Sequence, residues 1–291
     1  MRRIAYLTLI LIFGSSLTVM GADKKFGLEL SVGYGLSKPA DLHTKASGVD
    51  DFIHQYSQQL GAQYQATGQF TENLSMIPVS AAALYQLSDG LYLKGGLELS
   101  FGNQSSEKSF AIAAPTFDEE NDYLIENKIT TFMPFVGIEK RFSNFGLYAL
   151  LGYNNVKLKN TFQRDFAQDG YTSQIIDLHD VSGSAASFVI GANYRFSIGD
   201  TGHLLIKLEY LYSKFSELTG SRDRSGSSST GETVSDTIEG TLYSYRVDVY
   251  NTSSFYTWDM FEEEPTSSWI SDVAPLTLDI SSIRLLVGFA F

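Results

Sequence analysis

A histidine followed by an aspartate is the residue pair in this sequence that most suggests catalysis. His179 precedes Asp180, and Ser182 and Ser184 follow on the same stretch. A histidine oriented by a carboxylate can take the proton from a serine hydroxyl, which is how many acyl-transfer enzymes work. The same combination also arises by chance in polar segments. We therefore predict no catalytic site and no enzymatic activity.

Other residues that could do chemistry are sparse. The chain has no cysteine, which excludes disulfides, thiolate metal sites and cysteine nucleophiles. No phosphate-binding glycine loop and no zinc or calcium ligand spacing occurs. The formal net charge of −12 argues against nucleic-acid binding, which needs a basic face. We expect no cofactor, no metal and no nucleic-acid partner.

The N-terminus has the three parts of a secretory signal peptide. Arg2 and Arg3 give a basic start, residues 4–13 are almost all apolar, and Val19-Met20-Gly21 offers small residues for cleavage. The alternative is a membrane anchor, but the apolar run is shorter than the about 20 residues that a helical span needs. The sequence predicts a cleaved signal peptide at 1–21 and a single domain at 22–291.

The remainder of the chain alternates apolar and polar residues with a period of two, which predicts β-strands. The predicted strands are longer than the about 5–6 residues of a typical soluble strand, and their length suits a tilted membrane strand. There are eight, at 25–37, 75–87, 91–101, 128–142, 145–158, 184–197, 203–214 and 278–291.

The connections between these strands alternate in length. Short turns lie at 88–90, 143–144 and 198–202, and long loops at 38–73, 103–127, 159–180 and 217–275. Short turns at one end and long loops at the other are typical of an antiparallel up-and-down barrel in an outer membrane, with its loops outside the cell. The predicted fold is an eight-stranded transmembrane β-barrel.

The two faces of the strands decide between a membrane barrel and a soluble one. One face is apolar and ends in aromatic residues; the other carries glycine, serine, alanine and charges that nearly balance. The charged residues are Glu29, Lys94, Glu98, Glu139, Arg141, Arg195, Lys207, Glu209 and Arg284. A soluble barrel of the lipocalin kind would turn these charges to water and would not need balance, whereas charges enclosed in a lumen do. The sequence predicts a structural ion-pair network in the lumen. The mean hydropathy of −0.06 then averages two opposite faces.

The last long loop leaves the strand count open. Residues 220–231 form a low-complexity run that predicts disorder. The alternating stretch 241–250 fits a hairpin that extends the barrel wall outside the membrane. If 240–250 and 253–261 crossed the bilayer instead, the barrel would have ten strands.

The first long loop contains a helical pattern. Phe52, Ile53, Tyr56, Leu60 and Tyr64 recur at helical spacing within 48–65. The pattern predicts a helix, which serves either as a lid packed over the barrel mouth or as a recognition helix.

Two stretches near the end of the chain carry a family resemblance. Ile283, Leu285, Val287, Phe289 and Phe291 alternate up to a terminal Phe, which resembles the C-terminal assembly signal of bacterial outer-membrane proteins. The segment 205–215 resembles the penultimate strand of OmpA/OmpX-type eight-stranded barrels.

The resemblance implies an outer-membrane location, contact with outer-membrane lipid and recognition by the barrel-assembly machinery. The expected role is structural or at the cell surface, with acidic loops that bind an extracellular partner. The alternatives are an enzyme acting on lipid A or peptides, and a narrow channel or small-molecule conduit. An eight-stranded lumen is filled by side chains, which disfavours the channel.

Overall fold

The computed structural model describes residues 25–199, 202–249 and 253–291. The predicted signal peptide, 1–21, lies outside these residues. The chain is almost entirely antiparallel β-sheet with one helix. In chain order the elements are β1 (Phe26–Ser37), α1 (Ala40–Gln59), β2 (Gln63–Gln69), β3 (Leu74–Ser88), β4 (Leu91–Ala114), β5 (Phe117–Phe142), β6 (Phe145–Gln168), β7 (Tyr171–Ile198), β8 (Gly202–Phe215), β9 (Thr219–Ser228), β10 (Thr233–Val249), β11 (Ser253–Phe261), β12 (Ile270–Pro275), β13 (Leu278–Asp279) and β14 (Ser282–Ala290).

Eight of these strands form a closed ring. The hydrogen-bonded order is β1-β3-β4-β5-β6-β7-β8-β14, and β14 pairs with β1 to close it. Every pairing is antiparallel and joins strands that follow one another in this order. The predicted eight-stranded up-and-down barrel is confirmed. β10 and β11 lie outside the ring, so the ten-stranded alternative is not the architecture adopted.

The turns at one end of the ring are tight. Ser143 has φ of 56° in the link between β5 and β6, and Gly90 has φ of 66° between β3 and β4. Short hairpins need a positive φ at their centre because their twist must match that of the strands. These turns set the register in which inward and outward side chains alternate.

The prediction of loops at 103–127 and 159–180 is wrong. β4 to β7 run on as strands of 24 to 28 residues, although about 9–11 suffice to cross a bilayer. The polarity of the faces reverses in these segments: Ile112, Tyr123 and Ile125 point inward and are buried. In these segments apolar residues therefore face inward, whereas in the ring they face outward. The pairing between the strands nevertheless continues.

The prediction of disorder at 220–231 is also wrong. β9 pairs with β7 on one side and with β10 on the other. Its backbone is hydrogen-bonded on both edges, and Arg222 and Arg224 form ion pairs with Asp236 and Asp177. Its small residues fit between β7 and β10, so most of the low-complexity run forms a strand with a partner on each side.

Together these segments build a second wall above the ring, which we call the extension. It consists of β2, β9, β10, β11 and β12 with 103–114, 117–130, 156–168 and 171–183 of β4 to β7. β10 and β11 pair over 241–249 and 253–261, as predicted for a hairpin that prolongs the wall. Unlike the ring, the extension is not closed: among the described strands, β2, β11 and β12 each pair with a single neighbour.

The helix α1 packs against the edge strands β2 and β11 of the extension. It contacts β11, β2 and β13, and the ring of Phe52 lies 5.4 Å from that of Phe255 on β11. The predicted helix at 48–65 therefore exists but begins at Ala40 and ends at Gln59. Leu42, Ala46 and Ile53 are buried, which fits the lid interpretation. Within the described ranges, no helix is both long and apolar enough to span a membrane.

Candidate functional site

The nine charged residues predicted to face the lumen do meet there. The larger group gathers around the carboxylates of Glu29 and Glu139. Lys94 Nζ lies 2.6 Å from Glu29 and 3.2 Å from Glu139, and Arg195 reaches the same two carboxylates at 2.6 and 2.7 Å. Lys207 donates to Glu29 at 3.1 Å. Arg141 donates to Glu139 at 2.7 Å.

The second group contains the remaining three residues. Arg284 forms ion pairs with Glu98 and Glu209. Tyr148 joins the two groups, because its hydroxyl donates to Glu209 at 2.6 Å while Lys94 Nζ lies 4.4 Å from the centre of its ring. The residues come from strands all around the ring, so the network connects opposite walls of the lumen.

Apolar side chains close the ring on the side of the extension. A cluster of buried residues is contributed by α1, by strands of the ring and by strands of the extension. Its members are Leu42, Leu74, Met76, Ile129, Val156, Leu158, Val181, Phe215, Leu218, Leu242, Trp258, Met260, Leu276, Leu278 and Ile280. Since these side chains meet across the mouth, they separate the charged lumen from the inside of the extension.

A chain of amide side chains crosses the inner wall of the extension. Gln104 donates to the backbone carbonyl of Thr71 at 2.6 Å, which fixes the orientation of its amide. Asn127 then donates to Gln104 at 2.8 Å and Asn160 to Asn127 at 2.9 Å. The carbonyl oxygen of Asn160 lies 3.1 Å from Nδ1 of His179. Each amide fixes the orientation of the next, so the histidine faces an acceptor.

The other ring nitrogen of His179 also faces an oxygen. Nε2 lies 3.2 Å from Asp259 on β11, and a neutral ring carries one N–H, so it donates to one of the two oxygens at a time. Burial is the largest influence on the histidine and lowers its pKa, although the bond to Asp259 opposes the shift. The net effect is a pKa of His179 below that of a free histidine.

Lys45 of α1 adds a buried charge to this cluster. Its side chain is 6% exposed, and its ammonium lies 4.5 Å from the ring of Trp258 and 4.6 Å from that of Phe162. Among the described residues its Nζ has no hydrogen-bond acceptor. Burial lowers the pKa of Lys45, against the attraction of Asp259 and Asp177.

Asp259 is the acidic centre of the cluster. Burial alone would raise its pKa, but the charge of Lys45 and the bond from His179 outweigh burial and hold the pKa far below the usual range. Arg222 contributes a further ion pair at 3.3 Å. The cluster joins α1 to β7, β9 and β11, so it links the lid to the wall.

The residues of the candidate catalytic pair lie on opposite faces of β7. His179 points into the extension, whereas Asp180 points outward and pairs with Lys157 and Lys159 at 3.0 and 3.2 Å. Adjacent residues of a strand face opposite ways, so the pair could have been rejected once 171–183 was recognised as a strand. The acidic partner of the histidine is Asp259, which is 80 residues away in sequence.

The residues of the predicted assembly signal lie on the outer face of β14. Ile283, Leu285, Val287 and Phe289 are exposed, as is Phe291 beyond the strand. The backbone of Phe291 exchanges two hydrogen bonds with Leu28. The recognition of this segment by an assembly machinery stays a prediction.

The chain resembles solved structures rather than known sequence families. No family model matches the chain, and no curated protein matches it. A solved structure, the translocator domain of autotransporter NalP from Neisseria meningitidis, aligns over 99% of this chain and 95% of that chain with 6% identity and a TM-score of 0.23. Similarity at that level carries no argument about function.

Proposed function

We propose that this protein is an integral outer-membrane barrel whose lumen is closed and whose extension acts at the cell surface. One observation carries the proposal. Leu208 is 58% exposed, while its neighbours Lys207 and Glu209 are 2% and 7% exposed. A soluble protein buries leucine and exposes lysine and glutamate; the reverse order fits a wall that faces lipid.

The same reversal holds around the whole ring. Its outer face carries exposed aliphatic and aromatic side chains from every strand. Among them are Val32, Tyr34, Ile77, Val79, Leu97, Phe101, Phe132, Ile138, Leu151, Tyr153, Phe188, Ile190, Leu208, Tyr212, Ile283 and Val287. A continuous apolar surface of this extent is unusual on a soluble monomer and marks contact with a membrane.

The gel mobility of the purified protein tests the proposal. A membrane barrel stays folded in SDS until it is heated, so unheated and boiled samples should migrate differently. Equal mobility of a sample that is folded by circular dichroism would contradict the membrane barrel.

The ion pairs and the apolar layer above them support a closed lumen rather than a conduit. We expect planar bilayers that contain the folded protein to show no discrete current steps. Reproducible steps would favour the narrow channel instead.

A further inference from the structure

Three lysines form a compact group on the outer wall, at the base of the extension. Lys128 of β5 lies directly opposite Lys159 of β6 in the ladder, and Lys157 points the same way one row nearer the ring. All three side chains are more than half exposed. Thr130 and Ser182 flank Lys157 on the neighbouring strands, which adds two hydroxyl donors beside the ammonium groups.

The charges of this lysine group are not fully compensated by the protein. Lys157 and Lys159 share the single carboxylate of Asp180, and Lys128 pairs with Glu126 at 3.3 Å. Two lysines directly opposite each other in a ladder repel. The group therefore keeps a surplus positive charge on a molecule whose net charge is −12.

The height of the group on the wall follows from the strand geometry. Phe132 and Tyr153 are the last exposed apolar residues of the ring on β5 and β6, and Lys128 and Lys157 each lie four positions beyond them. Four residues span about 13 Å along a strand, or about 10 Å along the membrane normal at the usual tilt. The headgroup layer extends about 5–8 Å beyond the hydrocarbon, and a lysine side chain can reach back into it.

We propose that Lys128, Lys157 and Lys159 bind the phosphate groups of a phosphorylated glycolipid in the outer leaflet. This inference rests on the proposed membrane location and adds the class of ligand. The acyl chains of the lipid lie along the apolar outer face of the ring, and its phosphates lie between the ammonium groups. Thr130 and Ser182 donate to the phosphate or sugar oxygens beside them.

The test measures which lipid stays bound to the folded, full-length mature protein. Mixed micelles contain equal mole fractions of a bisphosphorylated glycolipid and its dephosphorylated form, and native mass spectrometry counts the copies retained. The variant carries Lys157→Gln and Lys159→Gln. The matched control carries Lys25→Gln and Lys140→Gln, which remove the same charge at the opposite end of the barrel.

We expect the wild type and the control to retain the phosphorylated lipid at least about tenfold better than the dephosphorylated one, and the variant to lose that preference. Equal retention of the two lipids by the wild type, or equal losses in the variant and the control, would overturn the proposal. Loss of the preference in millimolar inorganic phosphate would reassign the group to the free anion and overturn the lipid assignment. Heat-dependent gel mobility is checked in each sample, so a failure of the membrane barrel itself is distinguished from a failure of lipid binding.

Discussion

At the scale of single residues, the direction in which a side chain points determines whether it joins the ion pairs of the lumen or the apolar outer face of the ring. Along β8, lysine and glutamate point into the lumen and the leucine between them points out. The alternation in the sequence was enough to predict the nine lumen charges. It could not predict their partners, because those depend on register across eight strands.

Leu208→Arg should impair assembly. The arginine would lie in the hydrocarbon near mid-wall, at a cost of about 2–4 kcal/mol. Leu178→Arg is the matched control, because Leu178 is also an exposed, outward leucine but lies on the extension. The yield of the heat-modifiable form in refolding should fall for Leu208→Arg alone. A normal yield for that variant would mean that the assignment of the faces is inverted.

Glu29→Gln should destabilise the barrel more than any exposed charge change. Its carboxylate accepts from Lys94, Lys207 and Arg195, and removal of one partner from a buried ion-pair group costs about 3–5 kcal/mol. Glu72→Gln removes an exposed pair with Lys38 and should cost less than about 1 kcal/mol. Denaturant unfolding of both variants in lipid vesicles checks the difference; equal costs would contradict a structural role for the network.

His179 should make the closure of the extension depend on pH. Its folded pKa lies below the value of 6.5 for a free histidine, so the opened state binds a proton more readily than the closed one. The stabilisation is complete above about pH 6.5 and is lost as the pH falls from there toward the folded pKa.

Hydrogen exchange of α1 between pH 7 and pH 5 measures this effect, after correction for the intrinsic exchange rate. Protection should decline on acidification in the wild type and in His54→Asn, a substitution on the exposed side of α1. In His179→Asn the decline should disappear. An unchanged decline in that variant would assign the effect to another group.

At the scale of elements, α1 is a lid that packs against the edge strands β2 and β11 of the extension. The helical spacing of aromatic residues predicted its existence, but its start was missed, because Leu42 is the only large apolar residue among the polar and small residues of 40–48. Lys45 is an example: the sequence suggests a solvated lysine, but the structure buries it with its ammonium group 4.5 Å from the ring of Trp258 and 4.6 Å from that of Phe162.

Trp258→Ala should loosen this lid. The side chain is 1% exposed and donates to the backbone carbonyl of Leu42 on α1 at 3.3 Å, so truncation should cost about 3–5 kcal/mol. Trp269→Ala is the control, because that tryptophan is 55% exposed. Limited proteolysis within 40–59 should accelerate in the first variant only. Equal cleavage rates would mean that the tryptophan does not hold the lid.

The strands of the extension show why loops were predicted in their place. A strand in the ring has an apolar outer face and a charged inner face, so its alternation is strong. In the extension, the inner face mixes Asn121, Asn127 and Asp177 with Ile125. Residues still alternate between the two faces there. However, the two faces differ less in polarity, and the inner face now carries the apolar residues.

At the scale of the whole molecule, the sequence was sufficient for the ring and insufficient for what lies above it. The ring follows from local alternation and short turns. The extension depends on contacts such as that between His179 and Asp259, which no local pattern marks. The acidic residues within 117–126 and 177–180, which were predicted to lie in loops, accordingly lie on paired strands.

The membrane placement of the ring is the central claim, and the absence of cysteine from the chain permits a direct measurement of it. A spin label is attached to Leu208→Cys and, separately, to Leu178→Cys in protein reconstituted into vesicles. We expect the label at 208 to collide with dissolved oxygen and to be protected from a water-soluble nickel relaxant. The label at 178 should be accessible to the nickel relaxant and should collide less with oxygen. Access of the nickel relaxant to both positions would contradict a lipid-facing wall.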